Sequence, residues 1–183
     1  QVNIQKLLIA MFLLNLAFAG LQSNFPLYSN FRFQWTPTQN SFFYLYVGVC
    51  AVFIQGFLFG KLQPRFGEKR LTIFGLTLMA IGLAGMAFAL VAWMLYPAVT
   101  IVALGTGTSI PSLTALVSLR VSESEQGRLM GGTQTLLSLT NIFGPILAGI
   151  SFELITFSAP YWLGGMFSVF ALIVAVAEFS PRS

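Results

Sequence analysis

The chain has 183 residues, of which 56% are hydrophobic, 15% aromatic and only 8% charged. A soluble domain carries about 25% charged residues, so this composition cannot coat a water-exposed surface. The net charge is +4 with no basic run suited to nucleic acid, His and Asp are absent, and Cys50 is the only cysteine; an internal disulfide is excluded, a hydrolase or metalloenzyme fits poorly, and no cofactor is expected.

A helix needs about 20 apolar residues to cross the hydrocarbon core. Six stretches meet that length, roughly Ile4–Gln22, Phe42–Phe59, Leu71–Ala92, Ala98–Leu119, Leu129–Phe152 and Tyr161–Phe179. A membrane barrel would show alternating segments of about 10 residues instead. The expected fold is therefore all-α and integral to the membrane, a single bundle of six transmembrane helices over residues 1–183. The apolar stretch from Leu7 could imitate a signal peptide, but five comparable stretches follow it. The chain starts at Gln1 rather than Met, which points to processing or truncation.

The first span places Asn15, Ala19 and Gln22 on one helical face. Ser23–Ser41 follows, aromatic and polar, with Pro26, Trp35 and Pro37, and could extend the first helix past the membrane surface. In the second span Tyr44, Gly48, Ala51 and Gln55 share a face. The third span carries Gly75, Gly82 and Gly85, and the fourth Gly105, Gly107 and Pro111. Such small residues let helices pack closely in lipid. The fifth span aligns Gln134, Ser138, Asn141 and Pro145, beside Gly144 and Gly149. Pro111 and Pro145 each remove a helical hydrogen bond and favour a kink.

No carboxylate lies mid-span. Glu153 closes the fifth span, where a boundary residue is the plainer reading and a gate or substrate contact the sharper one. The polar faces also admit two readings. Plain interhelical hydrogen bonding is one. The other is that they line one aqueous cavity, with Asn15, Gln22, Tyr44, Gln55, Gln134, Ser138 and Asn141 as substrate contacts. Phe12, Phe18, Tyr46 and Phe53 are aromatic candidates for the same wall, though each could equally face lipid.

Threading six spans puts Lys6, Lys61, Arg65, Lys69, Arg70, Arg120, Arg128 and Arg182 on one side and Arg32 on the other. Basic residues are retained in the cytoplasm, so both termini are expected there. Trp35, Trp93, Trp162, Tyr28, Tyr96 and Tyr161 fall near span ends on the opposite side, as an aromatic belt would.

The loop from Gly60 to Arg70 reads G-K-L-Q-P-R-F-G-E-K-R. Its pattern G-x-L-x-x-R-x-G-x-K-R resembles the loop signature of the major facilitator superfamily, found between the second and third helices of each six-helix half. Gly105-Thr106-Gly107-Thr108-Ser109-Ile110-Pro111, the stretch Ser122–Arg128 followed by Gly131-Gly132, and Gly144-Pro145 with Gly149 agree in order and spacing. Together they resemble the carboxy-terminal half of drug-efflux or tetracycline-resistance-type antiporters. In the amino-terminal half an acidic residue would stand where this chain has Pro64, and an Arg would lie within the fourth helix, whereas Arg120 is at its end. The resemblance implies a multi-pass protein of a bacterial inner membrane that exports small organic molecules by proton antiport. It implies gating roles for Gly60, Arg65, Gly67, Arg70, Gly144 and Pro145. It implies as partners the bilayer and an amino-terminal six-helix half, with a second copy of the chain as the alternative. A non-transporting membrane scaffold is a further alternative, and an intramembrane enzyme is the least supported, because no nucleophile–base pair is visible.

Overall fold

The computed structural model describes residues 4–179, the side chain of Glu123 excepted. The helices are α1 (Ile4–Phe33), α2 (Pro37–Phe53), α3 (Phe59–Ala87), α4 (Leu95–Ser118), α5 (Gln126–Leu154) and α6 (Ala159–Phe179). A π-helical turn, Ile54–Leu58, joins α2 to α3, so Pro37–Ala87 is one helical run of 51 residues. Five helical runs among the described residues are long and apolar enough to cross a membrane. Arg182 lies outside the described residues.

The 51-residue run is not one rod. Gly67 interrupts it at φ 73°, ψ 163°, a conformation that L side chains avoid and glycine adopts freely. The packing against α4 gives the direction on each side of that break. Before it, the Tyr46 hydroxyl bonds Thr100 and Ile54 lies against Gly107, so α2 and α4 advance together. After it, Gly75 meets Gly105 while Gly82 meets Val102, so α3 runs against α4. The chain therefore reverses near Gly67.

The helix starts and stops have local causes. Thr36 caps α2: its hydroxyl accepts from the Gln39 amide at 3.4 Å, and the Gln39 side chain accepts from the Thr36 amide at 2.8 Å. This reciprocal box, with Pro37 at the first helical position, fixes the start of α2. α1 ends where Gln34 takes φ 56°, and the Asn30 side-chain amide donates to the Trp35 carbonyl at 3.1 Å.

α1 continues to Phe33, well past the predicted end at Gln22. Pro26 does not stop it, because a helix tolerates the lost bond when the freed carbonyl finds another donor. That carbonyl is Gln22 O, and the Tyr44 hydroxyl donates to it at 3.2 Å. α3 closes at Ala87, short of the predicted Ala92. α4 and α5 run through Pro111 and Pro145 without a break.

The core lies among α1, α3, α4 and α6, with α3 on α4 the most extensive contact. A Cβ on Gly75 would sit 2.6 Å from the Gly105 carbonyl oxygen, so only glycine permits this approach. On the other flank, a Cβ on Gly144 of α5 would lie 2.7 Å from Ala19 Cβ of α1. α2 and α5 are peripheral and leave Leu45, Val49, Val52, Ile142, Ile146 and Ile150 exposed.

The two ends of the bundle differ chemically. Lys6 pairs with Glu178 at 2.9 Å, and Lys69 lies 5.8 Å from the Phe179 ring, which puts the start of α1, the end of α6 and the Gly67 turn on one side. Arg32 is at the other end, where its Nε donates to the Ala89 carbonyl at 2.7 Å. The predicted belt gathers at that end, but half of it is internal. Tyr28, Tyr161 and Trp35 are buried, with Tyr28 and Tyr161 rings 4.5 Å apart, while Trp93 and Trp162 stay exposed. The long extension of α1 explains this, because it places Tyr28 against α6 and α3 rather than in a loop.

Candidate functional site

A cavity of about 90 Å³ opens among α1, α2, α4 and the end of α3. α1 contributes Phe18, Gln22 and Phe25, spaced to share one face. α2 and the π turn contribute Phe43, Tyr44, Val47, Ala51 and Gln55, while Val102 and Thr106 of α4 and Met86 of α3 form the inner wall. Phe25 stacks on Phe43 with centroids 4.3 Å apart, and Tyr44 meets Phe25 edge-on at 5.7 Å. Trp35 and Tyr96 pack edge-on against Phe43, behind the cavity wall. The result is an apolar, aromatic wall carrying two carboxamides and a phenol, suited to a small organic solute with a few hydrogen-bonding groups.

The π turn matters for Gln55. A π-helical turn carries one residue more than the α-helix and re-aims the side chains beside it. Ile54 buries itself against Gly107, and its neighbour Gln55 lines the cavity. At Gly107 a Cβ would fall 2.6 Å from Ile54 Cγ2, so glycine there is what admits the bulge.

The predicted substrate contacts divide into two groups. Gln22, Tyr44 and Gln55 line the cavity together. Gln134, Ser138 and Asn141 lie with Pro145 on an exposed face of α5, away from it. α1 stands between: its Ala19–Gly20 edge meets Gly144, while Phe18 and Gln22 face α2. The Ser138 hydroxyl donates to the Gln134 carbonyl at 3.0 Å, and Pro145 leaves the Asn141 carbonyl without its helical donor. Asn15 joins neither group, because its amide donates to the Met11 carbonyl of its own helix at 2.7 Å.

Of the aromatic candidates, Phe18 lines the cavity, Tyr46 is engaged by Thr100, and Phe53 is exposed beside Phe57. Sequence reasoning missed the Phe25–Phe43 stack and the α4 wall. Phe18, Gln22 and Phe25 follow helical spacing, and that signal is legible once α1 is extended past Gln22. Glu153 is exposed in the last turn of α5. Among the described residues no group of His, Cys, Asp or Glu could hold a metal.

The gating candidates are also placed. A Cβ on Gly60 would meet nothing within 4 Å, Gly67 makes the reversal, Arg65 lies 5.7 Å from the Phe66 ring, and Arg70 borders a separate groove. Pro64 cannot cap the following helix, but Glu68 does related work. Its own backbone amide and the Gln63 side chain, at 3.0 Å, hold the Glu68 carboxylate below the usual glutamate range. A carboxylate at the start of the helix after Gly67 is also favoured by the helix dipole.

Residues 7–183 match the family model of the Major Facilitator Superfamily. Tetracycline resistance protein, class G, of Vibrio anguillarum is 32% identical over 150 residues, 82% of this chain and 37% of that protein. Multidrug resistance protein 2 of Bacillus subtilis (strain 168) is 34% identical over 147 residues, 80% of this chain and 36% of that protein. Tetracycline resistance protein, class C, of Escherichia coli is 36% identical over 116 residues, 63% of this chain and 29% of that protein. The chain thus spans about a third of the length of these relatives. The crystal structure of an auto-inhibited POT family peptide transporter superposes with a TM-score of 0.82 at 16% identity, covering 98% of this chain and 39% of that one.

Proposed function

This chain belongs to the Major Facilitator Superfamily, and we propose that it is the carboxy-terminal six-helix half of a carrier that exports small organic molecules in exchange for protons. The family makes it a multi-pass transport protein and not an enzyme. Six passes follow if the run Pro37–Ala87 crosses twice. An unbroken 51-residue helix would be about 77 Å long, far beyond the hydrocarbon core of about 30 Å, and the reversal at Gly67 supports a second crossing.

The observation that carries the export reading is the aromatic cavity bearing Gln22, Tyr44 and Gln55. At about 90 Å³ it is smaller than the roughly 300–1,000 Å³ of sites that enclose a whole small molecule. It is a wall in need of a second wall. The exposed faces of α2 and α5, with Gln134, Ser138 and Asn141, supply the surface against which an amino-terminal half would close. Alternating access then rocks one half against the other around the shared site.

No carboxylate lies mid-span here, so the proton-titrating groups are assigned to the other half. The basic end is assigned to the cytoplasm, with both chain ends, by the distribution of Lys and Arg.

Transport by membrane vesicles carrying the full-length protein tests the reading. A proton gradient is expected to drive accumulation of a tetracycline-like or cationic dye substrate. Gln55→Leu should lower that accumulation while membrane content stays constant. Proton-driven transport by the described chain reconstituted alone would overturn the assignment of coupling to an amino-terminal half.

A further inference from the structure

A second opening, at the basic end, shares no residue with the aromatic cavity. It lies between the stretches on either side of the Gly67 reversal, with a volume of about 440 Å³. Leu58, Leu62 and Phe66 form one wall, Phe74 the other, and Leu104 of α4 the back. Arg70 is the charged residue on its rim. This volume falls within the roughly 300–1,000 Å³ of small-molecule sites, and apart from Arg70 and Thr108 its walls are hydrocarbon.

The segment that carries Arg70 is strongly cationic. Lys61, Arg65, Lys69 and Arg70 are exposed within one short segment. Lys61 rests 3.9 Å from the centroid of the Phe57 ring, and Arg65 lies 5.7 Å from that of Phe66. Among the described residues the salt bridge found is Lys6–Glu178, so none of these four cations meets a carboxylate. Glu68, the carboxylate nearest in sequence, is turned to Gln63.

We propose that this groove holds one acyl chain of an anionic phospholipid, with the phosphate paired by Arg70 and flanked by Lys61 and Arg65. The charge pattern selects the occupant. A hydrocarbon groove beside a transmembrane helix takes up a lipid chain, and uncompensated cations between helix ends at a leaflet surface attract an anionic headgroup. Arg offers a planar fork that matches phosphate oxygens. A cationic drug is disfavoured by Arg70 at the rim and by Lys61 and Arg65 on the adjoining helix. The lipid would tie the stretch before Gly67 to the stretch after it and so brace the reversal. The proposal rests on the reading above that the basic end lies at the cytoplasmic leaflet.

The test uses the full-length protein, purified and followed by thermal unfolding with added phosphatidylglycerol, phosphatidylcholine or glycerol phosphate. Phosphatidylglycerol is expected to raise the Tm, and the other two are not. Arg70→Gln should weaken the apparent affinity for phosphatidylglycerol about fivefold, the effect of roughly one lost basic contact, and Arg70→Lys should keep part of it. Leu62→Trp, which fills the groove, should remove the response without lowering the lipid-free Tm. An equal response to phosphatidylcholine, an equal response to glycerol phosphate, or an unchanged response in Arg70→Gln would each overturn the proposal. Accessibility labelling that places the basic end outside the cytoplasm would overturn the orientation as well. Correct orientation without lipid preference would overturn this proposal alone.

Discussion

At the scale of single residues, the contacts separate positions that look alike in sequence. Gly48 and Gly75 both sit in apolar runs, yet a Cβ meets nothing within 4 Å at Gly48 and meets backbone at 2.6 Å at Gly75. Gly75→Leu should cost about 3 kcal/mol, the upper range for overpacking, and Gly48→Ala less than about 0.5 kcal/mol. The Tm of the purified protein checks both, and equal shifts would contradict the close α3–α4 approach. Tyr44 shows a proline acting at a distance. Because Pro26 frees the Gln22 carbonyl, Tyr44→Phe should leave it without a donor and cost about 1 kcal/mol. Glu68 gives a pH dependence of known sign. Its folded pKa is lowered, so its contribution is present at neutral pH and is lost as pH falls below about 4. Glu68→Gln should flatten the Tm profile in that acid range, whereas a profile identical to the parent would remove Glu68 from the turn.

At the scale of elements, the decisive one is the run Pro37–Ala87. Hydropathy divides it into two spans because polar and charged residues cluster from Lys61 to Arg70. The backbone keeps a nearly continuous helix through that cluster and places the reversal at one residue, Gly67. In a Cys50→Ser background, cysteines introduced at Pro64, beside the reversal, and at Phe88 should react with impermeant reagents from opposite sides of the membrane. Labelling from the same side would reject the double crossing. The π turn could not be read from sequence at all. It depends on Gly107, which lies on another helix and leaves room for Ile54.

At the scale of the whole molecule, the chain buries one side of α2 and α5 and leaves the other bare. Val52 is 74% exposed and Ile142 56%. Apolar exposure alone suits lipid, but α5 also presents Gln134, Ser138 and Asn141, and amides in hydrocarbon need partners. Co-expression with the amino-terminal half should therefore give a monodisperse complex by size exclusion in detergent, and the lone chain should self-associate. A monodisperse lone monomer would argue against this docking face.

Sequence alone determined that the chain is a helical membrane protein, where its loop signature lies, and that Gln22, Tyr44 and Gln55 are helix-face polar residues. Those are local properties, set by apolar run length and helical spacing. Tertiary structure decided that Gln22, Tyr44 and Gln55 converge on one cavity while Gln134, Ser138 and Asn141 lie beyond α1 on another face. It also decided that Phe25 and Phe43 belong to that cavity and that Asn15 does not. Periodicity says which residues of one helix share a side. Which helix that side meets depends on close approaches such as Gly144 on Ala19 and Gly107 on Ile54, made between residues far apart in the chain.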